Sequence, residues 1–150
     1  VFNGTKGITQ TMNESGGFET KELTADEIEA RKKSAGIFPE LNILNGNMEA
    51  ELLGMEVVNN KNMYVVRFTS GKTTTTAYYD SETFLKKQSE SITLTDDGAQ
   101  ESNATYSDFR KVGKILFPHQ TTQFIGSAGF ESTIKEIKIN GKVDMSKFDI

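Results

Sequence analysis

Hydrophobic and polar residues alternate along most of the chain between Met48 and Asn140, as in strands that bury one face of a sheet. In residues 63–69, Tyr64, Val66 and Phe68 occupy every second position. Clusters of Asn, Gly, Asp and Ser interrupt the pattern about every 8–15 residues, a spacing typical of an antiparallel meander. The predicted strands are residues 49–58, 63–69, 72–79, 84–94, 100–109, 115–125 and 130–140.

The N-terminal part predicts a short strand within residues 1–12, a loop at 13–17 and then the one helix signal of the chain. Thr24 and Glu27 have the S/T-x-x-E spacing of a capping box, in which each side chain binds the backbone N–H of the other residue. Apolar positions along this helix are sparse, namely Ile28, Ala30 and Ala35. We therefore expect it to lie on a surface and to form no core of its own.

Together these elements predict a mainly β (α+β) fold. We expect a curved antiparallel sheet, or half-open barrel, of about seven to nine strands with one main helix packed on it. The 150 residues fit one domain, so we expect residues 1–150 to form a single domain. The chain begins at Val1 with neither a Met nor a signal peptide, and we interpret it as excised from, or processed out of, a longer chain.

Charge and composition remove several classes of partner. The formal net charge is −4 and the lysines and arginines are scattered, so we expect no nucleic-acid partner. The sequence has no cysteine, which excludes disulfides and cysteine-based zinc sites. No apolar run reaches the roughly 18–20 residues that span a bilayer, so we expect no transmembrane segment.

The chemistry-bearing residues form no recognisable catalytic or metal motif. His119 is the one histidine, and neither a zinc-peptidase motif nor a G-x-S-x-G elbow is present. Asp96-Asp97-Gly98 lacks the spacing of a calcium loop and is typical of a turn. We therefore expect no catalytic residue, no metal and no cofactor, and we interpret His119 as a structural or surface residue.

Aromatic and branched residues suggest one candidate binding surface. We expect five of them to face the same side of the curved sheet: Tyr64, Val66, Phe68, Tyr78 and Phe117. In one interpretation this face is a filled core against the helix. In the other it is an apolar groove for an acyl chain, because one thin helix cannot cover so many strands.

Two stretches resemble hairpins of bacterial envelope proteins with a LolA/LolB-like lipoprotein-carrier fold. Residues 78–86, YYDSETFLK, resemble the pattern Y-[YF]-D-x-x-T-G-L, with Phe84 at the usual glycine position. Residues 106–118, YSDFRKVGKILFP, resemble the pattern Y-x-D-[YF]-x-x-V-x-G-[IV]-x-[FY]-P. The resemblance covers about residues 49–139. It implies that Asp80 begins a turn that Thr83 closes, and that Pro118 interrupts a strand at an edge or a bulge.

A second resemblance lies outside these hairpins. Residues 1–7, VFNGTKG, together with the helix and residues 38–41, FPEL, are similar to a C-terminal accessory domain of insulinase-type (pitrilysin-like) zinc peptidases of Bacteroidetes. In that family the zinc site lies in other domains, so no catalytic residue is carried over to this chain. The resemblance implies the periplasm or cell envelope of a Gram-negative bacterium.

Two functional hypotheses follow. The first is a non-catalytic envelope domain that binds a lipid or the acyl chain of a lipoprotein on its apolar face. The second is a structural or interaction domain of a larger insulinase-type zinc peptidase, which contacts the other domains of that protein. The full-length reading frame would discriminate between them, and a free-standing enzyme is the least favoured alternative.

Overall fold

The computed structural model describes residues 1–13, 15–34, 36, 38–142 and 144–148. The chain divides into two compact units, Val1–Asn42 with Gly141–Ile150, and Ile43–Asn140. The expectation that residues 1–150 form a single domain stays a prediction.

The described residues form nine strands, one α-helix and two short 3-10 helices. The helix α1 is Ala25–Ser34, and the 3-10 helices are Pro39–Asn45 and Met145–Phe148. The strands are β1 (Ile8–Met12), β2 (Phe18–Glu22), β3 (Glu49–Val58), β4 (Lys61–Ser70), β5 (Thr73–Asp80), β6 (Lys86–Thr95), β7 (Gly98–Val112), β8 (Ile115–Ile125) and β9 (Ala128–Thr133).

The first unit contains an antiparallel hairpin of β1 and β2, paired from Ile8 opposite Glu22 to Met12 opposite Phe18. The connecting loop is held by Asn13, whose Oδ1 accepts the Gly17 backbone N–H at 2.8 Å. The predicted N-terminal strand is confirmed by β1. The sequence did not predict β2, because all its side chains are exposed and no apolar alternation marks it.

Helix α1 begins with the predicted capping box. The Thr24 backbone N–H donates to Glu27 Oε2 at 2.7 Å, and the Glu27 backbone N–H donates to Thr24 Oγ1 at 3.3 Å. These bonds satisfy two N–H groups that have no partner within the helix. The bond from the Thr24 backbone N–H lowers the pKa of Glu27. Ala35, predicted as an apolar position of this helix, lies outside the described residues.

The second unit is a seven-stranded antiparallel sheet in the order β3-β4-β5-β6-β7-β8-β9. Each strand pairs with the next along the chain, so the sheet is a meander whose described edges are β3 and β9. Both hairpins named in the LolA/LolB-like resemblance belong to it. The expected fold class, mainly β with an open antiparallel sheet, is confirmed.

The edge strand β3 carries a bulge that keeps its apolar residues on one side. Pairing with β4 shifts between Leu52 and Gly54, so one extra residue is inserted at that point. Gly54 has a φ of 131°, a backbone conformation that favours glycine. The following hairpin turns at Asn59 and Asn60, which both have positive φ as a two-residue type I′ turn requires.

The register between strands defines two faces of the sheet. We call the side that carries Tyr64, Val66 and Phe68 the front face, and the opposite side the back face. Because directly paired residues of antiparallel strands point to the same side, the front face can be followed from strand to strand. One such row crosses the sheet and consists of Val66, Ala77, Ser89, Ala104, Gln123 and Phe130.

Few apolar side chains are buried in the part of the chain that is described. In the first unit this class contains Leu23. In the sheet it contains Met63, Val65, Phe68, Ala77 and Ala104. Three of these five residues therefore belong to β4, while Ala77 lies on β5 and Ala104 on β7, and the described edge strands β3 and β9 contribute none.

Candidate apolar binding face

Three of the five predicted site residues lie together on the front face of β4. Tyr64, Val66 and Phe68 alternate along the strand, and Phe68 is buried while the other two are half-buried. Val66 pairs with Ala77 of β5 on the same side. The alternation in the sequence was sufficient to group these three residues, because all of them belong to one strand.

The prediction that Tyr78 shares this face is wrong. Tyr78 pairs with Val65, and Val65 points away from its neighbours Tyr64 and Val66. Tyr78 therefore lies on the back face of the sheet. Burial raises the pKa of Tyr78, and the nearby carboxylates of Glu90 and Glu56 raise it further.

Phe117 lies on the front face but far from the other site residues. It pairs with Arg110 of β7, and alternation along β8 places it on the same side as Thr121 and Gln123. Four strand spacings separate β4 from β8, about 19 Å at 4.8 Å per strand. The structure therefore does not bring Phe117 into one site with Tyr64, Val66 and Phe68.

The edge strand β3 extends the apolar surface with residues that the site prediction omitted. Leu52, Met55 and Val57 are 64%, 54% and 70% exposed, and their partners on β4 are Val66, Tyr64 and Asn62 of the front face. All three therefore lie on the front face. An isolated glycine within a predicted strand is a known signal for a bulge. Gly54 was therefore the sequence signal that Met55 and Val57 occupy the same face as Leu52.

Phe84, in the turn between β5 and β6, completes this surface. Its ring stacks on that of Tyr64, with ring centroids 6.0 Å apart and an angle of 8° between the planes. The side chain is largely exposed. We define the apolar strip by its members: Leu52, Met55, Val57, Tyr64, Val66 and Phe84.

The middle of the front face is lined by hydroxyl groups. Hydroxyl pairs connect Thr73 with Thr93 at 3.1 Å and Thr75 with Ser91 at 2.8 Å. The hydroxyl of Ser89, a buried residue, is hydrogen-bonded to the Tyr106 hydroxyl at 3.2 Å. The apolar character of the front face is thus strongest at β3 and β4, and hydroxyl groups replace apolar side chains over much of β5–β7.

His119 is 4% exposed and lies on the front face of β8. Its Nδ1 is 3.0 Å from the Phe117 carbonyl oxygen. A carbonyl oxygen accepts hydrogen bonds and cannot donate, so Nδ1 carries the proton in this contact. The geometry agrees with the interpretation of His119 as a structural residue.

The back face has a different chemical character. A shallow depression of about 570 Å³ lies over β6–β8, lined partly by Glu90, Ile92, Glu101 and Phe124. Its carboxylates and amides make it more polar than the apolar strip. The apolar strip is therefore the less polar of the two surfaces.

The described residues show neither a metal cluster nor a membrane-spanning helix. No group of three or more His, Asp or Glu side chains in the described ranges could hold a metal ion. None of the helices among these residues is both long enough and apolar enough to cross a membrane.

Comparison with known proteins identifies the fold through solved structures. Neither a protein-family model nor a curated protein matches the sequence. A domain from Vibrio parahaemolyticus, described as an outer membrane lipoprotein-sorting protein domain, superposes with a TM-score of 0.59 at 14% identity. The match covers 87% of this chain and 59% of the Vibrio chain.

A LolA superfamily protein from Nitrosomonas europaea gives a TM-score of 0.49 at 12% identity, over 87% of this chain and 64% of that one. The resemblance to insulinase-type peptidase accessory domains stays a prediction. The resemblance to LolA/LolB-like carriers is confirmed for the fold, because the chain shares the architecture of the Vibrio lipoprotein-sorting domain.

Proposed function

We propose that this chain is a non-catalytic, carrier-type domain of the bacterial cell envelope. Its ligand is a lipid or the acyl chain of a lipoprotein, bound along the apolar strip of the front face. The similarity in fold to the Vibrio lipoprotein-sorting domain supports both the ligand class and the envelope location.

The exposed apolar strip is the observation that carries this proposal. Leu52, Met55 and Val57 expose more than half of their surface on the front face and adjoin Tyr64 and Val66. Large apolar side chains that expose this much contiguous surface are typical of binding sites. Covering the three exposed side chains would contribute about 3–5 kcal/mol before the entropic terms of association.

The neighbouring hydroxyl groups suggest how such a ligand is oriented. Thr75 and Ser91 lie on the front face, beyond the apolar residues of β4. We propose that the hydrocarbon chain lies over β3 and β4 and that its polar end points toward these hydroxyls. Few polar groups beside an apolar surface are typical of lipid and cofactor sites.

A titration with a fluorescent fatty acid tests this proposal. The double variant Leu52→Asp/Met55→Asp places two charges on the strip at exposed positions, where the fold tolerates them. We expect its affinity to fall at least about ten-fold, because burying an unpaired carboxylate is strongly unfavourable.

The control is Asn103→Asp, which introduces one carboxylate at an exposed position of the back face. It is expected to bind as the unchanged protein does. Circular dichroism of each variant separates loss of binding from loss of fold. The absence of saturable binding to the unchanged protein, or equal binding by the double variant, would contradict the proposal.

The role as a structural or interaction domain of an insulinase-type zinc peptidase stays a prediction. The length and motifs of the full reading frame would test it.

A further inference from the structure

Positive charge is concentrated at one end of the seven-stranded sheet. Neighbouring strands of the meander are antiparallel, so the start of β6 lies at the same end of the sheet as the end of β7 and the β7–β8 hairpin. We define the basic tip by five cationic side chains at this end: Lys86, Lys87, Arg110, Lys111 and Lys114. Lys61 at the start of β4 is a further cation at this end and lies 3.9 Å from Asp80. The positive charge of this tip is opposite in sign to the net charge of the whole chain, which is −4.

Contacts with aromatic rings hold two of these lysines at the tip. Lys86 Nζ lies 5.1 Å from the centroid of the Tyr106 ring, and Lys87 Nζ lies 4.3 Å from that of Phe109. Tyr106 is on the front face and Phe109 is on the back face. Cations are therefore fixed on both sides of the sheet at this end, and the end as a whole is basic.

Most carboxylates near the basic tip already accept hydrogen bonds from other residues of the chain. Asp108 accepts two bonds from Arg110, at 2.9 Å from Nε and 2.6 Å from Nη2. Asp80 accepts the Thr83 backbone N–H at 2.8 Å. Glu82 is exposed and opposes the positive charge, but Lys111 and Lys114 are also exposed, and the cations remain in excess.

Exposed apolar side chains accompany these cations. Ile115 and Leu116 follow Lys114 directly and are 43% and 46% exposed. Ile115 pairs with Val112 and Leu116 with Lys111, so the two apolar residues point to opposite sides of the hairpin. Apolar residues flanked by lysines are typical of protein segments that lie at the interface of an anionic membrane.

We propose that the basic tip docks on an anionic lipid bilayer surface. The lysines contact the phosphate groups, and Ile115 and Leu116 enter the boundary between headgroups and acyl chains. The other end of the sheet carries Asp96 and Asp97 in the β6–β7 turn, so opposite charges would orient the molecule on the surface. This inference does not depend on a ligand in the apolar strip.

Flotation with lipid vesicles tests the proposal on the full chain. We expect binding to vesicles that contain phosphatidylglycerol, weak binding to pure phosphatidylcholine, and loss of binding at high salt. The variant Lys111→Glu/Lys114→Glu is expected to lower the partition coefficient at least about ten-fold. Ile115→Ser/Leu116→Ser should weaken binding while leaving the charge unchanged.

The control is Lys72→Glu, a reversal at the opposite end of the sheet, where Lys72 pairs with Asp96 at 3.6 Å. It is expected to bind vesicles with nearly unchanged affinity. Equal binding to neutral vesicles, or an equal loss with Lys72→Glu, would overturn the proposal. If the charge variant does not fold, the folded serine variant decides the outcome by its vesicle partition.

Two further readouts separate this inference from its alternatives. If the tip instead binds the acidic end of a second copy, sedimentation at low salt will show self-association that the tip variants abolish, without vesicle binding. Leu52→Asp/Met55→Asp should retain vesicle binding even where it loses the fatty acid. Loss of vesicle binding in that variant would overturn the assignment to the tip.

Discussion

Phe84 replaces the glycine of a hairpin pattern but keeps the left-handed backbone conformation that glycine favours at such a position. The resembling hairpins have glycine at this position, and Phe84 has a φ of 57°. A left-handed conformation at a residue other than glycine costs about 1–2 kcal/mol. Stacking on Tyr64 contributes about 0.5–1.5 kcal/mol in the opposite direction. Because the two terms are of similar size, phenylalanine is tolerated here and adds exposed apolar surface to the strip.

Asp80 in the same turn has the role that the hairpin resemblance implied. Its Oδ1 accepts both the backbone N–H and the hydroxyl of Thr83, each at 2.8 Å. Asp80 is buried, and its other oxygen lies 3.9 Å from Lys61 Nζ. The bond from the Thr83 backbone N–H lowers the pKa of Asp80 below its usual range.

This lowered pKa predicts a pH-dependent stability. An Asp whose pKa is lower in the folded than in the unfolded chain stabilises the fold above about pH 4, and the contribution is lost as pH falls through the folded pKa. Asp80→Asn should therefore lower the urea midpoint at pH 7. The difference in urea midpoint between this variant and the unchanged protein should become smaller as the pH falls from 5 to 2. Thr83→Ala, which removes the hydroxyl but keeps the N–H, should have an intermediate effect. A difference that stays constant across this pH range would contradict the assignment.

At the scale of one element, Gly54 decides which side of the sheet receives the apolar residues of β3. Without an inserted residue, strict alternation would place Met55 and Val57 on the side opposite to Leu52. The bulge shifts the register by one residue, so all three lie on the front face. The acidic residues Glu51 and Glu56 then point to the back face, and they also protect an edge strand against unwanted pairing.

The backbone at Gly54 predicts a specific cost of substitution. A Cβ at this position would meet no atom within 4 Å, so any effect of Gly54→Ala comes from the φ of 131°. We expect a loss of about 1–3 kcal/mol in the free energy of unfolding, measured by urea denaturation. Leu53→Ala is the control, since it alters the exposed neighbour at ordinary φ and should cost less than about 1 kcal/mol. Equal stability of Gly54→Ala and the unchanged protein would contradict the bulge.

Elements were easier to predict from the sequence than contacts between them. The ranges predicted for β3 and β8 agree with the structure, while residues 134–140 continue as coil beyond β9. Alternation shows which residues of one strand share a face. Which face of the next strand lies on the same side of the sheet depends on the register between the two strands. Tyr78 was assigned to the wrong face for this reason. Leu52 and Met55 were omitted because the bulge hides their common side from simple alternation.

At the scale of the whole molecule, the described residues include few buried apolar side chains and many exposed ones, and this balance has a thermodynamic consequence. The heat capacity change of unfolding arises mainly from apolar surface that becomes exposed to water. Surface that is already exposed in the folded state contributes nothing to it. The apolar side chains buried in the described sheet include two alanines, which are small, and β9 is exposed throughout.

We therefore expect a heat capacity change of unfolding below the value of about 1.8–2.2 kcal/mol/K that is usual for a chain of this length. Calorimetry at several pH values measures it, as the slope of the unfolding enthalpy against the midpoint temperature. A hydrophobic dye should also bind the folded protein, and Leu52→Asp/Met55→Asp should reduce this binding because it removes apolar surface from the strip. A change above about 2.2 kcal/mol/K, with no dye bound before unfolding, would contradict this expectation. It would mean that the strip is covered in solution, and the apolar surface proposed to hold the ligand would then be part of a filled core.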